Sequence, residues 1–134
     1  MSQRIVLTES DASRLRALTA DLSEYRGVDR ATVRQLRDNL EEAEIVPAHL
    51  LEPDRVAMQS RVVVRVESSD QESTFTLVYP EEADFRTGLV SVIAPIGAAV
   101  VGRREGDVIL WQGVSGNLKL RVRKVLSQAP VTVG

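Results

Sequence analysis

Residues 89–107 place the tightest limits on how this chain can fold. Leu89, Val90, Ser91, Val92 and Ile93 are rich in β-branched side chains and lead to Pro95. Proline has no N–H to give a sheet ladder, so a strand is expected to end there. Between Gly97 and Gly102, Ala98, Ala99, Val100 and Val101 form one short apolar turn. That turn is expected to be a buried helix closed by Gly102 in the left-handed conformation. Glu105, Gly106 and Asp107 then punctuate the chain before Val108, Ile109, Leu110 and Trp111, a second strand-like run.

Upstream the period changes from two to that of a helix. Ile5, Val6 and Leu7 read as a short strand or an apolar lead-in, and Thr8 is an N-cap with Asp11 three residues on. Leu15, Leu18, Leu22 and Tyr25 then fall on one stripe, which predicts a helix stopping at Gly27. Asp29 is the N-cap of a second helix, whose stripe is Val33, Leu36, Leu40 and Ala43 and which Pro47 ends. Two such stripes predict an antiparallel helical hairpin, a coiled coil about 22–25 Å long at 1.5 Å per residue.

Residues 47–60 read as a connection, with Val56, Ala57 and Met58 as a candidate strand. The alternation in 61–66, in 74–79 and again in 118–123 predicts half-exposed strands, the last pairing with the strand that ends at Trp111. The expected fold class is therefore α+β: a hairpin over 1–46, then a body over 47–134 made of an antiparallel-dominated sheet with one short helix.

Composition excludes several classes. At 134 residues, 43% hydrophobic and 27% charged, the chain suits one globular domain and has no apolar run able to span a membrane. Its first residues lack the pattern of a signal peptide, so a cytoplasmic location is expected. Zero Cys excludes disulfides and cysteine nucleophiles. The net charge of −2 is short of the basic excess that binding to nucleic acid by backbone neutralisation requires.

Val92, Ile93, Ala94, Pro95, Ile96, Gly97, Ala98, Ala99, Val100, Val101 and Gly102, followed by Glu105, Gly106 and Asp107, resemble the C-terminal domain of the bacterial Gre transcript cleavage factors, with Ala94 in place of the usual Ser. Together with Gln59, Ser60, Arg61 and Val62, and with Thr76, Leu77, Val78, Tyr79 and Pro80, the chain is similar to one branch of that superfamily, the regulators of nucleoside diphosphate kinase. The resemblance implies an FKBP-like body and RNA polymerase as partner. It also implies a docking surface at Ala94, Pro95, Ile96 and Gly97, and a direct or indirect link to nucleoside diphosphate kinase.

Gre factors carry an Asp-Leu-x-Glu-Asn run at the tip of their arm. Here Asp21, Leu22, Ser23, Glu24 and Tyr25 follow that pattern except at the last position. Carboxylates three apart on a helix project from one face and can share a hard cation with a partner. The same residues, with Asp29, also suit a solvated acidic tip. The hairpin is only about half the length of the Gre arm, so the expectation is a polymerase-binding regulator that is not an enzyme and has no cleavage activity of its own. No cofactor, metal, specific DNA site or membrane contact is expected.

Two alternatives are a cleavage factor using Asp21 and Glu24, and an FKBP-like prolyl isomerase. The isomerase ranks last because such pockets are aromatic-lined and the chain has only Tyr25, Phe75, Tyr79, Phe85 and Trp111. Three further motifs read as structural. Residues 97–104 lack the Lys and hydroxyl of a phosphate loop, His49 is alone as a metal ligand, and Ser115 lacks the second Gly of a nucleophile elbow.

Overall fold

The computed structural model describes residues 4–22, 25–113 and 116–126, with the side chains of all of these except 111–113 and 116. Strand β1 (Val6–Thr8) runs straight into helix α1 (Glu9–Ala20), with the Thr8 hydroxyl accepting from the Asp11 N–H at 3.1 Å. Helix α2 (Arg30–Glu42) opens on Asp29, whose carboxylate accepts from the Ala31 N–H and, at 2.9 Å, from the Thr32 hydroxyl. Both caps fall where short polar side chains precede an apolar stripe, because they satisfy N–H groups that the first turn leaves without partners.

α1 is shorter than its periodicity suggests. It has 12 residues and ends at Ala20, so Leu22 and Tyr25 pack against the core from a non-helical connection. Arg37 of α2 donates through Nε to the Thr19 carbonyl at 3.0 Å, and the Thr19 hydroxyl bonds back to the Leu15 carbonyl. These contacts satisfy the end of α1, where the expectation ran the helix on to Gly27. Arg16 reaches the Leu40 carbonyl, so the two helices lie side by side with opposite chain directions.

After α2, strand β2 (Glu44–Val46) pairs in parallel with β1, Val6 opposite Glu44. No local pattern announced this pair. In place of the candidate strand over 56–58, Val56 alone exchanges backbone hydrogen bonds with Gly102 and Arg103, and the chain then turns, held by the Ser60 hydroxyl, which accepts from the Ala57 N–H, and by Asp11, which accepts from the Met58 N–H.

The main sheet has strands β3 (Arg61–Val66), β4 (Glu72–Val78), β5 (Leu89–Ser91), β6 (Val108–Gly113) and β7 (Gly116–Leu126) in the order β5-β4-β3-β7-β6. Three of its pairings are antiparallel and β4 with β5 is parallel. Helix α3 (Pro95–Val100) follows β5. The strand stops at Ser91, not at the proline, and Pro95 instead starts the helix, where its missing N–H costs nothing. Gly102 closes the segment at φ +76°, as its place after an apolar turn predicts.

Val62 and Val64 of β3, Phe75 and Leu77 of β4 and Val122 of β7 meet Leu15 of α1, Leu36 and Leu40 of α2 and Val100 of α3 in one cluster. Leu15 and Leu36 are fully buried, and each such side chain contributes about 1.5–3 kcal/mol through burial. The helices thus share the core of the sheet. Among the described residues no helix is long and apolar enough to cross a membrane.

Candidate functional site

Proline at the start of α3 fixes the direction in which residues 94–97 meet the surroundings. Pro95 is exposed, Ala94 and Ile96 are half-buried, and Gly97 is buried. A Cβ on Gly97 would stand 2.1 Å from the Ser91 carbonyl oxygen, so this glycine lets α3 press directly on the end of β5. Of the four residues that the resemblance assigns to partner contact, Pro95 is therefore the one whose side chain meets solvent freely. Ala94 caps α3 without a side-chain hydrogen bond, its carbonyl accepting from the Ala98 N–H at 2.9 Å.

The connection between α1 and α2 lies against this loop. A groove of about 500 Å³ is lined on one side by Tyr25 to Asp29 and on the other by Pro80, Ile93, Ala94 and Pro95. Two regions treated separately in the sequence thus share one surface. Asp21 is exposed just past the end of α1 in extended conformation (φ −142°), so it does not itself stand on a helical face as the i, i+3 spacing implied. Glu24 and Ser115 lie outside the described residues. Asp29, at the other end of the connection, spends its carboxylate on the α2 cap.

The connection is tied to the body by residues that, Tyr25 apart, periodicity did not single out. Glu81 accepts from Arg14 at 2.8 Å and from the Tyr25 phenol at 3.5 Å. The Arg14 guanidinium lies 3.7 Å over the Tyr79 ring, and the Tyr79 phenol donates to Asp11 at 3.5 Å. Apart from Tyr25, their sequence signal was Tyr79 with Pro80, read as the end of the 74–79 alternation and as part of the motif behind the resemblance.

Burial, and then the charge of Asp11, raises the Tyr79 pKa well above its ordinary value of 10.0. The folded protein therefore holds this proton more tightly than the unfolded chain does. Its stabilising contribution is complete below pH 10 and is lost as pH rises beyond it. In a spectrophotometric titration one of the two tyrosines is expected to ionise above the ordinary range, and Tyr79→Phe to remove that late step. Two ordinary titrations in the wild type would contradict this.

The remaining candidates serve the scaffold. Ala98, Val100 and Val101 are buried, Arg103 donates to the Ala99 carbonyl, and Arg104 pairs with Asp54 at 2.8 Å. Residues 97–104 thus close α3 and hold no phosphate loop. His49 is exposed in a 3-10 turn. Among the described residues no three His, Asp or Glu side chains come together as a metal site.

The family described as "Transcription elongation factor, GreA/GreB, C-term" matches residues 51–127. Transcription elongation factor GreA of Desulfotalea psychrophila is 29% identical over 76% of the chain, and that of Chloroflexus aggregans is 33% identical over 78%. The chain spans 63% and 67% of the length of these two relatives. The solved prokaryotic transcription elongation factor GreA/GreB from Nitrosomonas europaea superposes with a TM-score of 0.74 at 35% identity, covering 93% of this chain and 99% of that one.

These relatives correct the expectation that the chain is not an enzyme. They carry the name GreA, and the Gre factors of the resemblance are transcript cleavage factors, cleavage being a hydrolysis.

Proposed function

The chain belongs to the GreA/GreB family of transcription elongation factors, and on that premise we propose that it binds RNA polymerase near the secondary channel, using residues 94–97 and the 21–29 connection as one docking face. The observation that carries this reading is the groove that brings Tyr25 to Asp29 against Ala94 and Pro95. In this reading residues 1–46 act as a short coiled-coil hairpin on an FKBP-like body over 47–134, working in the cytoplasm.

Within the family we place the chain with the regulators of nucleoside diphosphate kinase. Helices of only 12 and 13 residues support that placement. The link to the kinase itself rests on the resemblance alone.

Labelled protein titrated with core polymerase should bind saturably and be displaced by a Gre factor. Pro95→Glu should weaken binding at least about tenfold by placing a charge at the contact. The substitution keeps the fold, because Pro95 is exposed and an acidic side chain suits the first turn of a helix. No binding at micromolar concentration would remove the proposal.

Transcript cleavage is the second reading, favoured by the names of the relatives and by the exposed position of Asp21. Asp21 and Glu24 would help to hold a metal ion, which would supply an activated water for hydrolysis of the transcript. Asp21→Ala and Glu24→Ala should then each lower cleavage by a backtracked polymerase complex about tenfold or more while leaving binding unchanged. Cleavage that survives both substitutions would dismiss it.

A further inference from the structure

The five-stranded sheet treats its two edges differently. At one edge β5 is only three residues long, and Asp84 folds back to exchange two backbone hydrogen bonds with Leu89, at 2.9 and 3.0 Å. At the other edge β6 has six residues, Val108–Gly113, without a Pro or Lys, and among the described residues no strand lies on its outer side. Proteins usually blunt such an edge, because its free backbone groups are a template for pairing.

The ladder fixes which groups are free. The Glu67 N–H bonds to the Lys119 carbonyl, so Lys119 faces β3 and its neighbour Leu120 faces β6, opposite Ile109. By alternation, the N–H and C=O of Val108 and Leu110 point away from the sheet. Their side chains are 41% and 63% exposed, and they stand opposite Arg121 and Lys119. Arg121 is paired with Glu67, whereas Lys119 makes no ion pair among the described residues. On the other side of β6 a groove of about 760 Å³ runs between α2 and the strand, lined by Thr32, Gln35, Asn39, Arg103 and Asp107.

We infer that β6 is an addition site for one extended segment of another polypeptide, alternating acidic and apolar residues. Backbone bonds to Val108 and Leu110 set its register. Its carboxylates stand on the face of Val108 and Leu110, toward Lys119, and its apolar side chains, on the opposite face, enter the groove beside Ala31, Ala98, Ala99 and Ile109. A nucleic acid strand fits less well, because among the described side chains no aromatic ring lies on this face to stack a base. A second copy pairing through β6 would bring another basic β7 to the same face, with like charges gathered about the junction.

The test uses the full chain and two blocked nonapeptides, one alternating Asp with Val and the other Lys with Val. No polymerase is present, so this inference and the docking proposal fail separately. The Asp peptide should bind saturably and slow the hydrogen exchange of the Val108 and Leu110 amides. The Lys peptide should bind at least about tenfold more weakly.

Leu110→Pro should lower the affinity for the Asp peptide about tenfold or more, and the fold should survive because an edge strand tolerates proline where its N–H faces out. Lys119→Glu, a surface change, should also weaken the Asp peptide and serves if the proline variant unfolds. Absence of saturable binding, equal binding of both peptides, or insensitivity to these variants would overturn the inference. So would Val108 and Leu110 amides already slow to exchange without peptide, since the edge would then be occupied by a second copy or by the chain itself.

Discussion

Gly97→Ala is expected to lower the stability of the protein by about 3 kcal/mol or more, the magnitude of overpacking without room to relax. The new Cβ would stand 2.1 Å from the Ser91 carbonyl oxygen and 3.1 Å from the Val92 Cα, both backbone atoms. That carbonyl cannot swing aside freely, because it accepts from the Ala94 N–H at 3.0 Å. Relief requires α3 to lift off β5, which breaks this bond and moves Pro95 away from residues 25–29. In urea, with a slope of about 1–3 kcal/mol per molar, the midpoint should fall by a molar or more. A midpoint within experimental error of wild type would show that the close approach of α3 to β5 is wrong.

Gly102→Ala is expected to cost about 2–4 kcal/mol by adding two effects. The residue sits at φ +76°, a region that alanine enters only with strain. Its Cβ would also lie 2.6 Å from the Cβ of Ile5, an atom that even Ile5→Ala retains. Gly106→Ala separates the two effects: φ there is +97°, but a Cβ would meet nothing within 4 Å. It should cost about 1 kcal/mol, the strain alone. Equal midpoints for the Gly102 and Gly106 variants would mean that the contact with Ile5 is soft.

These glycines mark what could and could not be read beforehand. Gly102 was legible, because an apolar turn followed by glycine and a polar pair is a local pattern with a local cause. Gly97 was not, because nothing near it in sequence says that the end of β5 passes beneath its Cα. Thr8 and Asp29 were legible for the same reason as Gly102: a cap serves N–H groups two or three residues away. The end of α1 was misread because Leu22 and Tyr25 face the core from a loop while keeping helical spacing. The guanidinium that satisfies Thr19 comes from Arg37, on the other helix.

The candidate site divides along the same line. Pro95 and its neighbours were singled out through resemblance, since an unusual run of small and apolar residues keeps its order. Their apposition to residues 25–29, and the Glu81 link that holds it, depend on pairs such as Arg14 with Glu81 that no periodicity connects. The parallel pairing of β1 with β2 joins two three-residue segments; the first could be read as a short strand, but the second was too short to declare itself, and nothing local joined the two.

The burial of Ile5 against Gly102 also constrains how the protein is made. As the chain leaves the ribosome, β1 has no strand to pair with until β2 follows it, and Ile5 has no cover until α3 and Gly102 have emerged. The two helices appear early, yet the side chains that hold them in place are among the later ones synthesised. Much of the chain must therefore wait, partly exposed, for its own second half, and folding is dominated by contacts between distant parts of the sequence.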